Sequence, residues 1–258
     1  MKKVSKKVIV ALLLLNAASC ILFRFVAGGR PNIVRYREIS DGKMTYIIAG
    51  NMGQADEASA QIVDDIIGGV TFVNYGNFGY SPSKFIKAVE NDISTLPHDT
   101  QVTLVAISLG NQVAQTVSNR LQCPLYAVNP CMGASSPNSA MKVVCVGIAI
   151  VGTPVEFGLG WLSCIPFSSN PPTRDYSLAT LIDQFRSICV FSTGHPTNPA
   201  LTKVVISNDD ELLDNAAVEE FFAGCEVVRI NAKHGSINNY PDAYRTALGQ
   251  LGLIEGKG

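Results

Sequence analysis

The chain has 258 residues, of which 47% are apolar and 16% are charged, and its formal net charge is −1 at pH 7. This length suits one α/β domain with a sizeable core, and the absence of a basic surplus predicts no nucleic-acid partner. The seven cysteines show neither CxxC nor metal-ligand spacing, so no metal site or dense disulfide framework is indicated, although one or two bridges remain open.

The N-terminus has the pattern of an export segment. Lysines precede an uninterrupted apolar run at residues 8–15, and small residues follow at 16–19. The apolar stretch continues to Phe23, so an uncleaved membrane anchor is an equal alternative to a cleaved signal peptide. We expect residues 1–29 to be this signal or anchor segment and residues 30–258 to form an extracytoplasmic domain that is either anchored or secreted.

The next part of the chain alternates between strand and helix patterns. Two strands are predicted at 32–40 and 43–49, and Asp41-Gly42 between them favours an antiparallel hairpin. Further elements follow in order: helices at 54–67, 83–96 and 111–121, with strands at 70–75, 102–107 and 125–129. Such repeated strand–helix–strand units predict an α/β fold with a mostly parallel central sheet and helices on both faces.

This alternation is interrupted at about residues 130–200, which we expect to form a cap inserted over the sheet. Residues 143–162 carry only one charge, Glu156, and are therefore a candidate second membrane span. Pro154 and several glycines argue against a continuous helix there, so an apolar cap that lines a pocket or touches lipid is favoured. The alternation then resumes with strands at 203–207 and 226–230 and helices at 215–223 and 240–251.

Ser108 is the candidate nucleophile. The apolar strand that begins at Val102 ends on this serine, small residues frame it, and a helical pattern starts directly afterwards. The AxSxG pattern from Ala106 to Gly110, between a strand and a helix, is typical of a serine exposed on a strained turn. The alternative is a serine that only caps the following helix.

A serine hydroxyl needs a base, and a histidine base needs an acid that fixes its tautomer. Of the three histidines, His98 precedes the serine-bearing strand and His195 lies in the insertion. His234 follows the last predicted strand and is expected at the same sheet edge as Ser108. Asp210, in the loop after the preceding strand, is the predicted acid; the alternative is that this carboxylate is an ordinary solvated loop charge.

A tetrahedral intermediate also requires backbone N–H donors that face its oxygen. Leu109, directly after the serine, is one predicted donor. The other is Asn51, in the flexible loop Gly50-Asn51-Met52-Gly53. The alternative for this loop is a plain strand-to-helix turn whose glycines serve geometry alone.

The order Ser108, Asp210, His234 on this scaffold, together with the AxSxG turn, resembles the α/β-hydrolase superfamily. Departures from that family's pattern are Ala106 in place of glycine and Ala49-Gly50 where many members have histidine-glycine. The resemblance implies a serine hydrolase that acts on an ester, thioester or amide through an acyl-enzyme. It also implies that the cap shapes the substrate pocket.

We therefore predict a serine esterase or lipase-like hydrolase with a small-molecule or lipid acyl substrate, associated with a membrane through its N-terminal segment. No cofactor is predicted, since the chain has no GxxxxGK[ST], HExxH or GxGxxG pattern. Two alternatives stay open on the same fold: a non-catalytic binding or scaffolding protein of the cell envelope, and an acyltransferase.

Overall fold

A seven-stranded sheet forms the centre of the computed structural model, which describes residues 6–26, 28–51, 53–167, 176–235 and 237–254. The strands are β1 (Asn32–Arg37), β2 (Lys43–Ile48), β3 (Gly69–Asn74), β4 (Gln101–Ile107), β5 (Leu125–Val128), β6 (Pro166–Phe167), β7 (Tyr176–Ser177), β8 (Thr202–Asp209) and β9 (Glu226–Lys233). The helices are α1 (Lys6–Val26), α2 (Ala55–Ser59), α3 (Pro82–Ile93), α4 (Asn111–Leu121), α5 (Ser139–Leu159), α6 (Leu178–Val190), α7 (Asn215–Phe221) and α8 (Pro241–Gln250).

The strand order in the sheet is β1-β3-β2-β4-β5-β8-β9, and only the β1–β3 pair is antiparallel. Strands β3 and β5 are buried along their whole length, and β2 is buried after its first residue. Their near-continuous apolar sequences follow from this burial, because helices cover both faces of a parallel sheet. This is the mostly parallel α/β sheet that the sequence predicts.

The direction in which the chain adds strands reverses between β2 and β4. The connection from β2 leads outward to β3, and the next connection leads back past β2 to β4. Because such crossovers are right-handed, α2 lies on one face of the sheet, and α3 and α4, which pack together, lie on the other. The carboxyl ends of β2 and β4 therefore flank a gap of the kind in which open α/β sheets bind ligands.

The predicted hairpin between the first two strands is wrong. Asp41 and Gly42 do form a tight turn, with φ values of 52° and 63°. Beyond this turn β1 leaves β2 and pairs with β3 instead. The Arg37 guanidinium donates a hydrogen bond to the Gly68 carbonyl at 2.6 Å, which holds β1 beside β3. The residues Asp41 and Gly42 thus determine the turn, whereas contacts with residues distant in sequence determine which strand β1 pairs with.

Most helices begin and end within a few residues of their predicted bounds, and α4 coincides with the predicted helix. The exception is the predicted helix at 54–67, of which only α2 and a 3₁₀ turn at Val63–Asp65 form. Ile66 has extended backbone and makes an isolated antiparallel bridge with Ile254. Tertiary pairing at Ile66 thus overrides the local helical pattern.

The insertion between β5 and β8 forms the two helices α5 and α6, which pack against each other. The Asn138 side chain caps α5 by accepting a hydrogen bond from the Met141 N–H at 2.9 Å. Ser177 caps α6 in the same way, by accepting from the Thr180 N–H at 3.2 Å. Residues 168–175 of the predicted cap lie outside the described residues.

Helix α5 is continuous, so the expectation that Pro154 and nearby glycines interrupt it is wrong. Cys145, Gly152 and Glu156 form a buried stripe along α5. At Gly152 an added Cβ would lie 2.9 Å from the Ile182 side chain of α6, so glycine permits a close helix–helix contact there. This packing offsets the roughly 3 kcal/mol that an interior proline costs.

Helix α1 is unbroken and lies against α5 and the 3₁₀ turn Gly160–Cys164. Two segments, Lys7–Val26 and Ser139–Cys164, are long and apolar enough to cross a membrane by length and composition. Residues 1–5, which carry two of the lysines of the predicted leader, lie outside the described residues.

Candidate active site

Ser108 lies on the sharp turn between β4 and α4. Its φ is 48°, in the left-handed region that non-glycine residues rarely adopt. Two glycines make room for this turn. A Cβ on Gly110 would lie 2.6 Å from the carbonyl oxygens of Ile48 and Ala49, and a Cβ on Gly50 would lie 3.1 Å from that of Ser108. These close contacts hold the backbone of Ser108 in its strained conformation. The hydroxyl is thereby presented at the edge of the sheet.

The structure brings Ser108, His234 and Asp210 into one hydrogen-bonded chain. His234 Nε2 lies 3.0 Å from Ser108 Oγ, and His234 Nδ1 lies 2.7 Å from Asp210 Oδ2. The side chains of His234 and Asp210 are only 10% and 1% exposed. When Nδ1–H donates to the carboxylate, Nε2 is left to accept the proton of the serine hydroxyl. This geometry suits removal of that proton.

Asp210 is fixed by the backbone of its own loop. Its Oδ1 accepts hydrogen bonds from the N–H groups of Leu212 and Leu213, each at 2.9 Å. Burial acts to raise the pKa of Asp210. The hydrogen bond and the charge interaction with His234 act in the opposite direction, as do the two backbone amides. Their combined effect is larger, so the pKa lies below its ordinary value. The carboxylate is therefore ionised at neutral pH and can stabilise a protonated imidazole.

The two predicted N–H donors lie at the gap between β2 and β4. Leu109 is fully buried directly after Ser108. Asn51 follows Gly50 at the end of β2 and lines the same cavity as Ser108. The Asn51 Oδ1 atom is buried and has no hydrogen-bond partner among the described residues. Met52 of the same loop lies outside them.

A cavity of about 350 Å³ opens beside Ser108 and His234. Its walls are largely apolar and come from both the sheet loops and the cap: Pro137, Met141, Phe185, Ile188, Leu212 and Leu213. A larger cavity of about 540 Å³ lies between α1 and the cap, but none of Ser108, His234 and Asp210 lines it. We therefore place the candidate chemistry in the smaller cavity.

The fold is shared with solved enzymes of low sequence identity. An α/β hydrolase from a Medee basin deep-sea metagenome aligns with a TM-score of 0.58 at 14% identity, covering 88% of this chain and 95% of that one. The chain has the α/β-hydrolase fold. An epoxide hydrolase from Bacillus megaterium aligns with a TM-score of 0.58 at 12% identity, covering 86% and 96%. A monoacylglycerol lipase from Paleococcus ferrophilus aligns with a TM-score of 0.56 at 10% identity, covering 86% and 98%. No protein-family model and no curated protein sequence matches the chain.

Within this α/β-hydrolase fold, Glu211 makes a contact that sequence reasoning missed. Its Oε2 accepts a hydrogen bond from the backbone N–H of His234 at 3.0 Å, so the loop after β8 holds both the ring and the backbone of the histidine. The pairing of β8 with β9 shifts register between Ser207 and Asp209, directly before this loop. No sequence signal distinguishes Glu211 from the neighbouring carboxylates.

The remaining candidates of the sequence analysis lie elsewhere. His195 Nδ1 lies 3.0 Å from the Phe221 carbonyl oxygen, and its ring stacks on the Phe221 ring. In the same acidic loop, Asp214 caps α7 by accepting hydrogen bonds from the backbone N–H groups of Ala216 and Ala217. Among the described residues, no group of three or more His, Cys, Asp or Glu side chains is arranged to hold a metal ion.

Cys131 is a second potential nucleophile in the cavity wall, but burial raises the pKa of its thiol to about 12. A thiol must be deprotonated to react, so we expect iodoacetamide at pH 8 to alkylate Cys131 about a thousandfold more slowly in the folded protein than in urea. Peptide mass spectrometry after timed quenching measures both rates. Equal rates would show that the thiol is accessible and ionised.

Proposed function

We propose that the protein is a serine hydrolase that cleaves an ester through an acyl-enzyme. The observation that carries this proposal is the hydrogen-bonded chain from Ser108 through His234 to Asp210, with its distances of 3.0 and 2.7 Å. Three side chains separated by up to 126 positions converge at the carboxyl edge of the sheet, beside an apolar cavity. A purely structural role for Ser108 would not require this alignment.

In the proposed reaction, His234 Nε2 removes the hydroxyl proton as Ser108 Oγ attacks the ester carbonyl. Asp210 stabilises the protonated imidazole and keeps Nδ1–H in place. The imidazolium then gives its proton to the departing alkoxide, which leaves an acyl group on Ser108. A water molecule, deprotonated in turn by His234, attacks this acyl group, and the imidazolium then returns a proton to Ser108 Oγ as the carboxylic acid leaves.

The backbone N–H groups of Leu109 and Asn51 are the proposed donors to the oxyanion. Leu109 lies at the start of the 3₁₀ turn that leads into α4, where the helix dipole also favours negative charge. Asn51 lies across the gap at the end of β2, whose register with β4 is fixed by parallel pairing up to Ile48 and Ala106. Donors held by the backbone need no rearrangement as charge develops.

The proposed substrate has a hydrophobic acyl group. The cavity beside Ser108 is lined mainly by aliphatic and aromatic side chains, including Met141 of α5 and Phe185 and Ile188 of α6. Such a surface gains free energy by removing acyl methylene groups from water, at about 0.8 kcal/mol for each. A small ester or a lipid ester with a medium-length chain fits this chemistry, and no cofactor is needed.

We also propose that residues 1–29 tether a catalytic domain of residues 30–258 to a membrane, with the domain outside the cytoplasm. Support comes from α1, in which every residue from Val8 to Leu15 is exposed and apolar, and from the lysines that precede this apolar run. Basic residues favour the cytoplasmic side of a membrane. The proposed location is therefore the outer side of a cell membrane, reached by a signal-like segment.

Labelling by a fluorophosphonate probe tests the proposed nucleophile. Full-length protein in mild detergent should react at one site, which peptide mass spectrometry should locate at Ser108, because only this hydroxyl has a histidine base within hydrogen-bond distance among the described residues. Ser108→Ala should abolish labelling. The matched control is Ser94→Ala, at an exposed position at the end of α3, which should label like the wild type.

Equal labelling of wild type and Ser108→Ala would overturn the proposed nucleophile. Hydrolysis of a series of acyl esters, run with and without an added alcohol acceptor, then separates two outcomes. Release of free acid supports a hydrolase, whereas predominant transfer to the alcohol indicates an acyltransferase. Absence of both labelling and turnover would favour a non-catalytic binding protein.

A further inference from the structure

One side of α1 is packed against the cap as an integral part of the fold. Ala17 and Cys20, one turn apart, are 2% and 3% exposed. The Trp161 indole N–H donates a hydrogen bond to Ser19 Oγ at 2.9 Å, and its ring lies 5.0 Å from that of Phe23. A leader that is removed after export has no need of such complementary contacts.

A neutral cluster of charges joins the end of α1 to both cap helices. Arg24 forms ion pairs with Glu156 of α5 and Asp183 of α6. Arg186 completes the cluster, at 2.9 Å from each of the two carboxylates. All four side chains are at least 70% buried. Removal of α1 would take away Arg24 and leave the two acids of the cap with one cation, Arg186.

The opposite sides of these elements are exposed and apolar. From Lys7 to Leu15 every residue of α1 is exposed, so this half of the helix projects from the cap. On α5 and the 3₁₀ turn that follows, no exposed residue between 143 and 162 is charged. The large side chains on this surface are Val143, Val144, Val146, Ile150, Val151, Val155, Phe157, Trp161 and Leu162.

We infer that α1, the 160–164 turn and the outer face of α5 form one lipid-facing surface, with α1 crossing the bilayer and α5 embedded in the nearer leaflet. A helix of 21 residues is about 31 Å long, close to the hydrocarbon thickness. Its free half, residues 7–15, accounts for about 14 Å, roughly one leaflet. The segment 16–24, which contacts the cap, occupies the other leaflet.

A bilayer fits this surface better than a second protein. A projecting helix that is apolar on all sides needs an apolar medium around it, whereas a partner chain would cover one side only. Within segments 16–24 and 143–162 the only charged residues are Arg24 and Glu156, and both belong to the neutral cluster, which is how charges are accommodated close to lipid.

This arrangement places the wall of the candidate active site next to lipid. Met141, which lines the cavity beside Ser108, belongs to the same helix α5 whose outer face would be embedded. Resting on the proposed serine hydrolase, the inference narrows the substrate class to acyl ester lipids that enter from the membrane. The lipid-facing surface itself is testable without any turnover.

Tryptophan fluorescence provides the test, because Trp161 is the only tryptophan in the chain. The full-length protein is reconstituted into phosphatidylcholine vesicles with or without bromine on the acyl chains, which quenches only tryptophans in contact with lipid. In a Trp161→Phe background, one variant carries Ile150→Trp on the outer face of α5. A second carries Phe157→Trp on the same helix, in case the first fails to fold.

The matched control carries Leu121→Trp in the same background. Leu121 is also exposed, but it ends α4 and belongs to neither α1 nor α5. We expect at least about twofold quenching at 150, 157 and native 161, and none at 121. Quenching at 161 without quenching at 150 and 157 would overturn the inference, since α1 alone would then contact lipid. Equal quenching at 121 would overturn it too.

Failure of this test is distinguishable from failure of the proposed hydrolase. Fluorophosphonate labelling of Ser108 in the same vesicles reports the nucleophile whatever the depth of α5. A labelled protein with an unquenched α5 would be a serine hydrolase with a water-facing cap. A quenched but unlabelled protein would retain the lipid-facing surface without the chemistry.

Discussion

Asp210→Asn is expected to lower kcat by about 10⁴-fold while the fold and the cavity are retained. The asparagine Oδ1 would keep the two backbone hydrogen bonds that Asp210 Oδ1 now accepts from Leu212 and Leu213. Its Nδ2 would then face His234 Nδ1 and require that nitrogen to be an acceptor. The imidazole proton would move to Nε2, which could no longer take the proton of Ser108.

Steady-state kinetics on an activated ester measure this effect, and circular dichroism and thermal unfolding confirm that the variant is folded. Asp209→Asn is the matched control, because Asp209 is an exposed carboxylate one position earlier. It should change kcat by less than about twofold. A similar loss in both variants, or none in Asp210→Asn, would contradict the role of Asp210.

The double variant of Asp210→Asn and Ser108→Ala should have a kcat only slightly lower than that of Ser108→Ala alone, because the effects of residues that act as one unit are non-additive.

Gly110→Ala is expected to destabilise the protein by about 3 kcal/mol and to lower Tm by about 6–12 °C. The added methyl would lie 2.6 Å from the carbonyl oxygens of Ile48 and Ala49, which are backbone atoms of the central sheet and cannot turn aside. To relieve the contact, α4 must move away from β2, and Ser108 must move with it. Activity should therefore fall further than the loss of folded protein accounts for.

Gly147→Ala is the control for this substitution, because it makes the same chemical change in the middle of a helix. No heavy atom lies within 4 Å of an added Cβ at Gly147. Alanine should therefore stabilise α5 by about 0.5–1 kcal/mol. Differential scanning calorimetry in one detergent compares both variants with the wild type. If Gly110→Ala unfolded at the wild-type temperature, close packing at the turn would not be what positions Ser108.

The proximity of the three candidate site residues could be predicted from local sequence patterns, because of the geometry of a parallel sheet. In a parallel sheet every strand ends at the same edge, so side chains just after strands meet even when they are far apart in sequence. Ser108, Asp210 and His234 each come after a strand or at its end. Their order and spacing therefore predict their proximity without knowledge of the loops. Their catalytic roles remain predictions until the variants are measured.

Other features depend on contacts that no local pattern contains. The hairpin at Asp41-Gly42 fails because β1 is held by Arg37 beside β3, and the continuity of α5 across Pro154 depends on its packing with α6. The contact of Glu211 with the His234 backbone joins two residues that are 23 positions apart. In each case a partner distant in sequence decides between locally plausible structures.

The ion pairs of Arg24 also constrain the order in which the protein can be assembled. Its partner Asp183 lies 159 positions later in the chain. If the protein is inserted into a membrane as proposed, α1 enters the membrane during synthesis before Glu156 and Asp183 have been made. Arg24 then has neither of its two ion-pair partners at that stage. We expect cap docking to be a late event. Ribosome-bound chains that stop before residue 183 should leave α1 accessible to crosslinkers, whereas release of the finished polypeptide should protect it.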